Sequence, residues 1–316
     1  MRDPFLPAPL TIVQVTTPIA NRLGLSTLPW HVHEIALAFL CYQFMFTILS
    51  PAVSMWIVPD SYRRLPRRSR TGWNVNVVSL IQSTFITACA SYVLKSDVGR
   101  SKMGWQERLW GYDGATGMVQ SFAAGYFLWD LQVSINHLDV LGTSSLLHAI
   151  GALLVTSIGF RPFANYYGLN FILYELSTPF LNIHWFLDKL NMTGSRAQLL
   201  NGIILIITFG CCRLLWGTYQ SVLIYNDIWT AWNSPLLFKN ERNCATFIRT
   251  NSGEAGLNGE CGMHFLPTWL VIVYLGSNTV LSVLNFYWFG RMIKAILKRF
   301  NKSNLESVDS QKTEIR

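Results

Sequence analysis

The sequence predicts an all-α fold, a multi-span transmembrane helical bundle of about seven helices. Three observations carry that prediction. Hydrophobic residues make up 51% of the 316 residues and charged residues only 13%, whereas soluble domains carry about 25% charged residues. Mean hydropathy is +0.28. Seven apolar stretches reach spanning length, for which about 20 residues are needed. Aromatic residues reach 14%, with 12 Trp, and Trp and Tyr collect at membrane interfaces.

The apolar stretches fall at residues 35–58, 73–94, 117–136, 142–160, 163–187, 199–223 and 265–289. Pro51 is expected to kink the first. The third and fourth are nearly continuous through His137-Leu138-Asp139-Val140-Leu141, which leaves a tight hairpin and one long bent element both open. Orientation follows from Lys and Arg near span ends. Arg63, Arg64, Arg67, Arg68 and Arg70 follow the first span, and Arg291, Lys294, Lys298, Arg299 and Lys302 follow the seventh. Both stretches are expected in the cytosol, which an odd number of spans allows. The N-terminus and the polar loop 225–264 are then lumenal. Lys95, Arg100, Lys102 and Arg108 blur this rule, partly offset by Asp97, Glu107 and Asp113.

The loop holds Cys244 and Cys261, which an oxidising lumen would favour as a disulfide. The sequons at Asn191 and Asn301 fall on the cytosolic side and are expected to stay unglycosylated. Residues 1–34 read as a lumenal segment without the pattern of a cleaved signal peptide. Residues 35–64 read as the first helix and a cytosolic loop. Residues 296–316, polar and without aromatics after Phe300, are expected to form a disordered cytosolic tail.

The net charge of +8 sits beside apolar spans, as orientation signals do, and no nucleic-acid motif accompanies it. No HExxH, CxxC, phosphate-binding glycine loop or nucleophile elbow is present. No metal and no cofactor are therefore expected. Cys211 and Cys212 are adjacent, diverge on a helix and read as packing residues.

Ionisable groups inside apolar spans are costly, by roughly 2.5–3.5 kcal/mol on insertion scales, and mark interiors or watery cavities. Asp130, His137, His148, Glu175, His184 and Arg213 are such groups. Residues 174–187, Tyr-Glu-Leu-Ser-Thr-Pro-Phe-Leu-Asn-Ile-His-Trp-Phe-Leu, combine a carboxylate, an amide and an imidazole with a helix-breaking Pro179. One reading is a polar chamber in which a carboxylate, Asp130 or Glu175, orients His148 as base or nucleophile. The other is structural, with Glu175 paired to Arg213 and polar groups tying helices together. His137 and His264 read as interfacial, and His31 and His33 as solvated residues ahead of the first span.

The stretches Tyr126-Phe-Leu-Trp-Asp-Leu131, Leu146-Leu-His-Ala-Ile150, Tyr174–Leu187 and Asn201-Gly202 leading to Arg213 resemble the TLC-domain family. That family groups TRAM translocation-associated proteins, ceramide synthases and lipid-homeostasis proteins. The resemblance covers residues 65–295 and is to the non-ceramide-synthase branch of small TLC-domain proteins. It implies about six spans around a lipid-sized central cavity, a place in the endoplasmic reticulum or a related endomembrane, and a role in lipid handling. Asn182, His184, Asn201, Arg213 and His137 are the residues such a cavity would use. The family's synthases carry a His-His pair where this chain has His148-Ala149, so ceramide synthase activity is not implied.

Three functions follow as expectations. The first is a lipid-homeostasis protein that binds or senses a lipid or acyl chain. The second is an acyl-CoA-dependent acyltransferase using His148 with Asp130 or Glu175, acyl-CoA being substrate. The third is a non-enzymatic cargo receptor or translocation accessory. Membrane lipids are the expected partners, nucleic acid is not, and a homodimer fits as well as a monomer.

Overall fold

A computed structural model describes residues 3–233 and 266–314, with side chains to residue 296. Among these residues every regular element is helical. The Cys244–Cys261 pair, His264 and most of the predicted loop 225–264 lie outside the described residues.

Helix α1 (Leu10–Leu23) precedes the first predicted span. It ends at Gly24, whose φ of 68° is left-handed, and the Leu25 N–H closes the cap on the Ala20 carbonyl at 2.9 Å. Any Cβ at Gly24 would also meet the Arg161 guanidinium at 2.3 Å. Helix α2 (Leu28–Ile57) runs through Pro51 without breaking. A π turn over Met45–Leu49 just ahead of Pro51 absorbs the loss of its backbone donor. The kink expected at Pro51 is therefore a local change of winding. The short α3 (Pro59–Arg64) and Pro66 lead into α4 (Arg67–Ser96), 30 residues long.

A second short helix, α5 (Trp105–Trp110), precedes α6 (Gly114–Asn136). Asp113 caps α6, its carboxylate accepting from the Thr116 N–H at 2.9 Å and the Thr116 hydroxyl at 2.8 Å. Residues 115–127 of α6 are buried on every side. Seven of these thirteen are Gly, Ala, Ser or Thr, so neighbouring backbones come close, as small residues permit in membrane bundles. Gly125 is the tightest point: a Cβ there would stand 2.6 Å from both Ala38 Cβ and the Ile35 carbonyl oxygen of α2.

The third and fourth apolar stretches are two helices. A turn at Leu138–Leu141 and Gly142, with φ 81°, separates α6 from α7 (Thr143–Ile158). The fifth stretch is not one kinked helix. It divides into α8 (Asn165–Ile172), a 3₁₀ segment (Leu173–Ser177) and α9 (Thr178–Lys189). Pro179 sits in the first turn of α9, where its missing donor costs nothing, and the winding changes ahead of it. The sixth is α10 (Arg196–Asn233), 38 residues interrupted by a π turn over Gly210–Trp216. It continues nine residues into what the sequence reading took as loop. The last, α11 (Thr268–Glu314), continues where a disordered tail was expected. No Gly or Pro follows Gly290 to stop the winding.

Among the described residues four helices are long and apolar enough to cross a membrane: α2, α4, α10 and α11 over Thr268–Ile296. Helix α7 is apolar but shorter. Helix α6 sits at the centre against α2, α4, α7 and α8, and α11 covers α7 while α9 joins α4 to α10. Large apolar side chains line the outside of α10, with Leu199, Ile203, Ile207, Leu215 and Val222 each at least half exposed. In water such a face would be an aggregation site; in hydrocarbon it is the solvated surface of a membrane protein.

Contacts sort the connections to two ends. Ser61, Arg64 and Ser69 share a cleft of about 320 Å³ with Asp188, Lys189 and Asn191. Arg68 pairs with Asp139 of the α6–α7 turn at 3.2 Å. This is the arginine-rich end. At the opposite end Thr27 bonds the Phe160 carbonyl at 2.9 Å, and Arg108 pairs with Asp227.

Candidate functional site

The π turn in α10 turns Arg213 inward, where it is 7% exposed. Its Nε donates to the Tyr174 carbonyl and the Ser177 hydroxyl, both at 3.0 Å. One terminal nitrogen reaches the Thr178 hydroxyl at 2.8 Å and the other the Asn285 side-chain oxygen of α11 at 3.2 Å. Glu175 Oε1 lies 3.7 Å from the guanidinium. A single cation thus ties the 3₁₀ segment, α9, α10 and α11 together. The 3₁₀ winding makes this possible by presenting a free carbonyl and two hydroxyls to one point.

The polar layer extends from there. Asp130, half-buried on α6, is within electrostatic reach of Glu175, and His148 of α7 is within reach of Arg213. Asn182 donates to the Ser79 hydroxyl at 3.1 Å. Glu175 and Arg213 are therefore in contact, and Asp130 and His148, also expected from the sequence, are close enough to couple to them electrostatically.

The layer does not contain a carboxylate–histidine dyad. The His148 ring lies between Phe127 and Trp288, with centroids 6.0 and 5.4 Å away. Its Nδ1 is buried without a hydrogen-bond partner. The other expected residues are outside the charged group. Asn201 donates to the Phe180 carbonyl at 2.9 Å and joins α10 to α9. His184 packs at Gly202, where a Cβ would touch its ring at 3.5 Å. His137 caps the end of α6, its ring 6.2 Å from Phe46.

Two polar clusters at the opposite end were missed in the sequence. Arg108 and Asp227 form a bidentate pair at 2.6 and 2.7 Å, and the Tyr167 hydroxyl donates to the same carboxylate at 2.5 Å. The bond to Asp227 pushes the Arg108 pKa above its usual value, against the opposing effect of burial. Arg100, 8% exposed, bonds the Tyr166 carbonyl and Asn170 Oδ1, and burial lowers its pKa. These two arginines blurred the charge rule; both are internal structural groups here. The second cluster corrects a reading: His31 was taken as solvated but is 1% exposed on α2, beside a fully buried Glu34. Its neighbour His33 is half-buried and bonds the Leu6 carbonyl at 2.8 Å. The signal available in the sequence was the spacing of His31 and Glu34, which places both on one helical face.

The fold and this layer define a membrane-embedded helical bundle with a buried charged centre. The TLC domain family matches residues 72–294. An uncharacterised TLC domain-containing protein of Schizosaccharomyces pombe is 35% identical over 291 residues, covering 92% of this chain and 87% of that one. Topoisomerase I damage affected protein 4 of Saccharomyces cerevisiae is 26% identical over 274 residues, 85% of each chain. TLC domain-containing protein 4 of Homo sapiens is 28% identical over 177 residues, 54% of this chain and 66% of that one. The chain belongs to the TLC-domain family, and these relatives fit a branch apart from the ceramide synthases.

Proposed function

We propose that this protein holds a lipid or acyl chain among its helices and through it influences membrane lipid composition. The observation that carries the reading is the buried Glu175–Arg213 pair with half-buried Asp130 and His148 within electrostatic reach of it, in a TLC-domain bundle. Four ionisable groups so placed in an apolar bundle are expensive, and a polar headgroup, glycerol or amide would be solvated there. His148 Nδ1, lacking a partner, is the group a lipid hydroxyl or amide would satisfy. In this reading the chain crosses an endomembrane seven times, with the arginine-rich end cytosolic and the N-terminus lumenal.

The test is lipidomics of a strain lacking the gene, complemented with wild type, His148→Ala or Arg213→Leu. The expected result is a changed phospholipid or sphingolipid profile that wild type restores and Arg213→Leu does not. Unchanged profiles on deletion would refute the proposal.

Acyl transfer from acyl-CoA draws support from Arg64 and Lys189 in the cleft at the arginine-rich end, which suits phosphate groups. The unoriented His148 weakens that reading, since a nucleophile or base needs a partner to position it. Turnover of labelled acyl-CoA by wild type, abolished in His148→Ala, would favour it over lipid holding.

A further inference from the structure

The N-terminal segment and α2 bring Asp3, His31 and Glu34 together at the end of the bundle opposite the arginines. One ligand atom from each lies within 4.8 Å of the other two. His31 Nδ1 is 3.5 Å from Asp3 Oδ2 and 2.6 Å from Glu34 Oε2. All three residues precede the segment that matches the TLC domain.

The chemistry of this group is incomplete as it stands. Glu34 is 0% exposed and its Oε1 has no hydrogen-bond partner. A buried carboxylate oxygen without a donor is costly. Asp3 adds a second carboxylate, with its Oδ1 fixed by the Phe5 N–H at 2.8 Å.

The far side of the imidazole is already held. His31 Nε2 bonds the Tyr112 hydroxyl. When Nε2–H donates to Tyr112, the lone pair of Nδ1 faces the two carboxylates; in the other tautomer Nδ1–H donates to Glu34 and Tyr112 donates to Nε2. A second-shell hydrogen bond of this kind orients a metal-ligating histidine and fixes its tautomer. Gly117 makes room for it, since a Cβ there would stand 2.4 Å from the Tyr112 oxygen and 2.7 Å from His31 Nε2. With Nδ1 unprotonated, three acceptors converge on one point, and a cation there would satisfy all of them, Glu34 Oε1 included.

We propose that Asp3, His31 and Glu34 bind one divalent transition-metal ion, zinc being the species that one imidazole and two carboxylates suit, with water completing the shell. Zinc bonds of about 2.0–2.2 Å put ligand atoms roughly 3.4 Å apart. The 2.6 Å His31–Glu34 contact therefore opens slightly on binding, and Oε1 of Glu34 is available as the ligand atom. Zinc here would pin the N-terminal segment to α2 and, through Tyr112, to the segment leading into α6.

The experiment uses the full chain in detergent, stripped with a chelator, desalted and offered zinc chloride. Bound zinc is counted by elemental analysis and thermal unfolding is followed in parallel. About one zinc per chain and a raised unfolding midpoint are expected. Asp3→Asn, which alters a partly exposed residue outside the bundle, should retain the fold and lose zinc affinity at least tenfold. Glu34→Gln should do the same, and Tyr112→Phe should weaken affinity by about 10–100-fold. Folded wild type that takes up no zinc would overturn the proposal, leaving a proton shared within the cluster. Equal zinc in wild type and Asp3→Asn would overturn it too, by placing the ion elsewhere.

Discussion

Arg213 is a buried guanidinium whose four directed hydrogen bonds matter more than its ion pair. Removing one member of a buried charged group costs about 3–5 kcal/mol, because its partners are left unpaired. Arg213→Leu is expected to lose stability of that order, measured by denaturant titration in detergent micelles. Arg213→Lys should recover little of it, since a point charge cannot reach Tyr174, Ser177, Thr178 and Asn285 at once. Glu175→Gln is expected to cost roughly 1 kcal/mol, because at 3.7 Å it is the longest of the contacts. A larger cost for Glu175→Gln than for Arg213→Leu would mean the carboxylate, not the guanidinium, organises the layer.

At the scale of the helices, the bundle depends on how closely α2 approaches α6. Gly125→Ala places a methyl carbon 2.6 Å from backbone and side-chain atoms of α2, and neither can rotate away. The expected cost is about 1–3 kcal/mol for overpacking, read as a lowered thermal midpoint in detergent. Gly276→Ala inside α11, with nothing within 4 Å, should not lower the midpoint in the same assay. The helices that fill the seven apolar runs were legible in the sequence because those runs reach spanning length, while α1, α3 and α5, outside them, were not. The breaks were less so. Pro51 and Pro179 look alike in the sequence, but a π turn absorbs one and the other starts a new helix. Arg213, Glu175, Asp130 and His148 were legible because charge stands out against an apolar run. Glu34, Arg100, Arg108 and Asp227 were not, because near a span end a charged residue reads as solvated. Only tertiary contacts distinguish Asp227, which is 1% exposed, from an ordinary loop aspartate.

Across the whole molecule, the distribution of charge makes sidedness testable. The arginine-rich end gathers Arg63, Arg64, Arg67, Arg68 and Arg70 with Lys189, which share one end of the bundle through the cleft and the Arg68–Asp139 pair. At the opposite end Arg100 and Arg108 bond inward. They therefore contribute less free charge than their number suggests, and the positive-inside bias is stronger than a simple residue count gives. In the proposed orientation the arginine-rich end faces the cytosol, as that bias would have it. Thr193, exposed in the turn between α9 and α10, and Gly104, open at the other end, are suitable reporters. A membrane-impermeant maleimide applied to sealed, cytosol-side-out microsomes should label Thr193→Cys above the background of the native cysteines. Gly104→Cys should react only after detergent is added. Labelling of Gly104→Cys in sealed vesicles, with Thr193→Cys protected, would invert the orientation. It would also place the Asp3–His31–Glu34 cluster in the cytosol, where a zinc ion would face a different supply of competing ligands.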